Sequence, residues 1–166
     1  MTRIKLLAVA AALLALSACT GADRFGGGAG ATGDGALAGS VNDPTSPVYF
    51  SQAIGDRVIF PVDEAMLNQD AMTLLDGQSD WLAQNTEFSA LIEGHADEQG
   101  TSQYNIALGA RRASAVQNYL ISRGVAPGRL KTISYGKERP IEICSDETCY
   151  SRNRRAVTVL TAGAGV

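Results

Sequence analysis

Apolar residues recur along this chain with two different periods, and the periods divide it into elements. The run DRVIFPV at 56–62 has the β-branched and aromatic content of a strand, and Pro61, which has no N–H to give a ladder, belongs at its end or on an edge. Leu67, Ala71, Leu74, Leu75, Gln78, Trp81 and Leu82 recur at helical spacing. That spacing predicts a helix facing a sheet with Leu74, Leu75, Trp81 and Leu82. FSALIE at 88–93 predicts a second strand, and 105–123 a second amphipathic helix with Leu108, Ala113, Val116 and Leu120 inward and Gly124 as its stop. Further strands are predicted at 129–135 and 156–161. Strands alternating with helices need crossover connections and a partly parallel sheet, so the expected fold is an α/β two-layer sandwich.

The first part of the chain follows neither period. Arg3 and Lys5 precede an apolar run at 6–16, and small residues lead to Cys19, as in an export signal. The run is shorter than the roughly 20 residues a membrane-spanning helix needs. Leu16-Ser17-Ala18-Cys19 resembles a bacterial lipobox, whose cysteine is acylated and becomes the first mature residue; an ordinary secretory signal is the alternative. Thr20, where an Asp would favour retention at the inner membrane, is similar to outer-membrane sorting signals. From 20 to 47 the only large apolar residues are Phe25, Leu37 and Val41, too few to offset ordering entropy. The expected organisation is a signal at 1–18, a lipidated end and flexible linker at 19–47, and one domain at 48–162. The domain would then lie in the periplasm, anchored to the outer membrane by lipid.

Charge narrows the partners. The net charge of -3 hides ten acidic and one basic side chain between Asp56 and Glu98, against ten basic and four acidic between Gln99 and Arg155. A uniformly basic domain would point to nucleic acid, and this one is not uniformly basic. Two opposed faces or pairing between the halves fits better, so no nucleic acid is expected.

The chemistry concentrates in EGHADEQGTSQYNIALGARRA, 93–113. Asp97 follows a strand and Arg112 lies within a helix, with a polar turn between them. A carboxylate and a guanidinium facing one pocket suit a zwitterion. Gly94-His95-Ala96-Asp97 followed by Asn105-Ile106-Ala107-Leu108-Gly109-Ala110-Arg111-Arg112-Ala113 resembles the signature of OmpA-like peptidoglycan-binding domains. The resemblance implies a βαβαββ domain, a mixed sheet, and meso-diaminopimelate of the wall stem peptide as ligand. Asp97 would meet its ammonium and Arg112 would fork onto its carboxylate, with Asn105 and Leu108 between. Arg154, in SRNRR, would stand near the same pocket. Asp63 matches a family Phe-Asp pair that reads Val62-Asp63 here, and Gly100 with Thr101 would form a loop offering amides to an anion. Arg111 points about 100° from Arg112, toward solvent. Members of the family that serve the Tol system further imply TolB, and TolA, as partners, and a part in envelope integrity and cell division. A wall anchor in a secretion or motility apparatus is the alternative.

Other chemistries find little support. His95 is the single histidine, without a zinc-ligand pattern around it, and no Gly-x-Ser-x-Gly elbow is present. Neither an enzyme, a cofactor nor a metal is expected, and His95 is read as structural or hydrogen-bonding. Cys144 and Cys149, in a chain bound for an oxidising compartment, are expected to form a local disulfide, with a metal pair as the alternative.

Overall fold

The computed structural model describes residues 39–162. The signal, Cys19 and most of the expected linker lie outside the described residues. A short helix α1 (Pro47–Tyr49) runs into a wider turn at Phe50–Gly55, followed by β1 (Arg57–Ile59), α2 (Gln69–Gln84), β2 (Phe88–His95) and α3 (Ser102–Ser122). A 3-10 turn (Pro127–Arg129) then leads to β3 (Leu130–Gly136), α4 (Glu147–Asn153) and β4 (Arg155–Ala162).

The four strands form one mixed sheet in the order β1-β4-β2-β3. β2 and β3 are parallel, as a helical crossover requires, and β4 runs antiparallel to both β1 and β2. The chain therefore has the α/β two-layer architecture expected. β1 is three residues long and stops before Pro61, which cannot donate to a ladder.

Local chemistry sets the helix ends. Asn68 caps α2 by accepting from the Ala71 N–H at 2.8 Å, and Thr101 caps α3 by accepting from the Tyr104 N–H at 3.2 Å. At the far end of α3, Gly124 takes φ +98°, and the N–H groups of Gly124 and Val125 donate to the carbonyls of Ile121 and Leu120 at 3.0 and 3.1 Å. This pair of bonds closes the last turn in the Schellman manner, which only a residue tolerant of positive φ accepts without strain.

The core lies between the sheet and helices α2 and α3. Leu75, Leu82, Ile92, Ala113, Val116 and Leu120 are buried there, with Phe50 edge to face on Trp81 at 5.0 Å between centroids and Phe88 tilted against Trp81 at 5.2 Å. Leu74 packs only at its edge. Trp81 also donates its Nε1–H to the carbonyl of Pro44 at 2.7 Å, and Ser46 is buried, so the last residues of the stretch expected as linker dock on the domain. Composition could not reveal this, because the bond uses a backbone carbonyl.

One contact fixes where the helix face meets the end of the sheet. A Cβ on Gly94 would overlap the carbonyl of Gly109, so β2 and α3 touch backbone to backbone. That close approach brings the first half of α3 against the loop that follows β2.

Candidate functional site

Asn105, Leu108 and Arg112 are spaced three and four residues apart and share the buried face of α3. The loop 96–100 passes in front of that face and is tied from several sides. Asn105 donates its Nδ2 to the carbonyls of Asp97 and Gln99 at 3.3 and 2.8 Å. Lys137 donates to the carbonyl of Gly100 at 2.8 Å, and the Tyr150 hydroxyl to Glu98 Oε1 at 2.9 Å. Gly100 makes the turn at φ +86°.

These ties shape a cleft of about 240 Å³ lined by Val62, Asp63, Asp97, Gln99, Gly100, Tyr104, Asn105 and Leu108. The structure thus brings Asp63, Asp97, Asn105 and Leu108 together as expected. Asp97 is 8 % exposed, and its carboxylate accepts from the Gln99 N–H at 3.2 Å and from Arg154 Nη1 at 3.2 Å. Asp63 enters from the turn after β1 with φ +58°, a left-handed conformation that a side chain disfavours. Its carboxylate accepts from the Tyr104 hydroxyl, and that bond raises the Tyr104 pKa. Val62, standing where the family pair has an aromatic, is exposed on the cleft wall.

Arg112 is placed behind this wall, not in it. It is fully buried and donates from Nε to the carbonyl of Glu64, from Nη1 to that of His95 and from Nη2 to that of Pro61, at 2.8, 2.8 and 3.0 Å. Its plane also lies over the Phe60 ring, with Cζ 5.2 Å from the centroid. The reading of Arg112 as an open fork therefore needs revision, since three of its five N–H groups hold backbone carbonyls. Burial lowers its pKa to about 10, which leaves it a cation at neutral pH. Thr101 is engaged as the α3 cap and does not line the cleft. Arg111 is exposed, 5.8 Å from the Tyr104 ring.

Arg154 is also buried and joins two carboxylates. Its Nη1 lies 3.2 Å from Asp97 and 3.3 Å from Glu147 Oε2, while Nη2 binds Glu147 Oε1 and Nε donates to the carbonyl of Phe60 at 3.2 Å. The Glu147 contact is the first cause of a raised Arg154 pKa, and Arg154 in turn lowers that of Glu147. Sequence reading missed Tyr104 and Glu147. Tyr104 was detectable as the residue one turn before Leu108. Glu147 stands seven residues before Arg154, a two-turn spacing that becomes meaningful only once 147–153 is known to be helical.

Cys144 and Cys149 form a disulfide, with Cα atoms 5.8 Å apart. With Asp146 they are the one group of metal-type ligands among the described residues, but the two sulfurs are bonded to each other and Asp146 caps α4. His95 is 2 % exposed, and neither ring nitrogen has a hydrogen-bond partner among the described residues; Glu93 Oε2 lies 3.6 Å from Nε2. Of the structural or hydrogen-bonding role expected of it, the burial is present and the hydrogen bond is not.

The profile of the OmpA family matches residues 59–154, a span that holds the whole cleft and Arg154. The chain belongs to the OmpA family. Within this family it stands among the peptidoglycan-associated lipoproteins. The protein of that name from Mesorhizobium japonicum is 46% identical over 172 residues, covering 99% of this chain and 96% of the relative. That from Rhizobium meliloti is 49% identical over 152 residues, covering 92% and 84%. The crystal structure of the peptidoglycan-associated lipoprotein from Burkholderia pseudomallei superposes with a TM-score of 0.65 at 36% identity, covering 73% of this chain and 98% of that one. The OmpA-like fold here is that of a binding domain and not of an enzyme.

Proposed function

We propose that this chain is an outer-membrane lipoprotein that binds diaminopimelate-bearing peptidoglycan without covalent attachment and so ties membrane to wall. The observation that carries the reading is the cleft itself: two carboxylates, Asp97 and Asp63, on one small pocket whose back wall holds a buried cation, Arg112. The names of the relatives support it.

The free end of a diaminopimelate side chain bears an ammonium and a carboxylate on one carbon. Its ammonium faces Asp97 and Asp63, and its methylenes pack on Leu108. Its carboxylate is drawn toward Arg112, whose charge and two remaining N–H groups act from behind the wall. Asn105 holds the loop in shape, since its amide nitrogen is engaged by the carbonyls of Asp97 and Gln99. Arg154 orients the Asp97 carboxylate through Nη1.

Cys19, in its lipobox-like setting, carries the lipid. Several acyl chains, at about 0.8 kcal/mol per buried methylene, make such an anchor effectively permanent. The residues before the domain give reach to the wall, and the domain works within the Tol system, with TolB and TolA as partners in envelope integrity and cell division.

The test is retention of the full chain on purified sacculi, with free meso-diaminopimelate as competitor. Retention released by the competitor is expected, and failure to bind sacculi overturns the reading. Copurification with TolB tests the Tol assignment separately. Cys19→Ser is expected to abolish lipid labelling, and normal labelling of that variant overturns the anchor.

A further inference from the structure

Asp97 is almost buried and already touches a cation, which raises the question of why it retains any attraction for an ammonium. A carboxylate paired one to one with a guanidinium forms a neutral unit. The geometry around Arg154 answers it. Both Nη atoms of Arg154 face Glu147, whereas Asp97 receives only Nη1, shared with Glu147 and 3.2 Å away. Nε is held by the carbonyl of Phe60, so the guanidinium plane is pinned. Apart from that contact the Asp97 carboxylate accepts one bond, from the Gln99 N–H. Asp97, Arg154 and Glu147 together carry two negative charges and one positive, and Asp97 is the carboxylate of the three that lines the cleft.

We propose that Glu147 is a positioning residue for the ammonium subsite: by taking the fork of Arg154 it leaves the Asp97 carboxylate charged toward the cleft. The inference rests on the proposed reading of the cleft as an ammonium site. Glu147 itself does not line the cleft, and its side chain is 66% exposed at the outer end of the triad. Its place is set by the first turn of α4, capped by Asp146 and closed by the Cys144–Cys149 disulfide on either side of it. Tyr150, on the next turn, holds Glu98 beside Asp97, so α4 and the Arg154 that follows it grip the loop at two points.

Without the Glu147 charge the pinned guanidinium keeps its place, and Nη1, no longer shared, gives its charge to Asp97 alone. A merely structural role would weaken all ligands alike; this role weakens only those with an ammonium. The experiment measures binding of two probes by the full chain in detergent: meso-diaminopimelate, and pimelate, which has the same carbon chain and carboxylates but no ammonium. Glu147→Gln is expected to lose about ten-fold in affinity for meso-diaminopimelate, less than removal of Asp97 itself, and to bind pimelate unchanged. Glu147→Asp is expected to recover part of the preference. Glu142→Gln, which removes the partner of Arg152 on the same face, is expected to change neither. Equal affinity of wild type and Glu147→Gln for meso-diaminopimelate, or equal losses for both probes, overturns the inference alone. Absence of meso-diaminopimelate binding by the wild type overturns the ammonium reading, and the inference with it.

Discussion

Arg112 and Asp97 are connected through backbone: Arg112 Nη1 donates to the carbonyl of His95 at 2.8 Å, and Asp97, two residues further on, turns its carboxylate to Arg154 instead. The charged pair that the motif brings together in sequence is divided in space between a structural anchor and a cleft residue.

Arg112 therefore matters for stability. Arg112→Ala leaves the carbonyls of Pro61, Glu64 and His95 without their donor. At about 1 to 3 kcal/mol for each buried unsatisfied group, a loss on the order of 4 kcal/mol is expected. Arg112→Lys should recover little of it, because an ammonium cannot reproduce the planar three-way reach. Urea denaturation checks this, and near-wild-type stability of Arg112→Ala would contradict it.

Gly94→Ala should be among the most damaging single-methyl additions. The new Cβ falls on the Gly109 carbonyl, and backbone cannot step aside as a side chain can. A loss of about 3 kcal/mol or more is expected from such overpacking. A variant with an unchanged denaturation midpoint would show that α3 can lift from β2.

His95 should make stability depend on acidity. Burial, followed by the positive charges of Arg155, Arg139 and Arg57, pushes its pKa down to about 4, against 6.5 for the free side chain. Protons bind the unfolded chain more readily, so this contribution is present above pH 6.5 and is lost as pH falls toward 4. Its size is on the order of 3 kcal/mol. Stability measured at pH 7 and pH 4.5 should fall less in His95→Leu than in the wild type, and an identical fall in both would exclude the effect.

Reduction of the disulfide should cost little. A loop with a sequence separation of 5 contributes about 2 kcal/mol in the chain-entropy model. The domain with Cys144→Ser and Cys149→Ser is expected to remain folded with at most that loss. Reactive thiols at both positions in native protein isolated without reductant would show that the bond does not form.

Periodicity made the long elements legible. β2 and α3 each bury one regular face, Ala90 and Ile92 on the strand and Leu108, Val116 and Leu120 on the helix, so their apolar spacing could be read directly. The helix α4 could not be read in that way. It spans seven mostly polar residues and buries only Cys149 and Asn153, so its evidence lies in the Asp146 cap and not in any stripe. The cleft was legible where the motif itself supplies the lining, at Asp97, Asn105 and Leu108. It was not legible at Arg112, because whether a guanidinium faces a ligand or a carbonyl depends on where Pro61 and Glu64 pass, and those residues belong to a distant irregular turn.

The central claim is that Asp97 receives the ammonium of a wall peptide, and the most direct measurement is the affinity of the full chain for a diaminopimelate-containing muropeptide before and after Asp97→Ala. Removal of one partner from a desolvated charge pair typically costs about 2 to 5 kcal/mol, or roughly thirty-fold to several-thousand-fold in affinity. A loss in that range is expected for a folded Asp97→Ala protein, with Arg111→Ala unchanged because its side chain faces solvent. Wild-type affinity in folded Asp97→Ala would contradict the account.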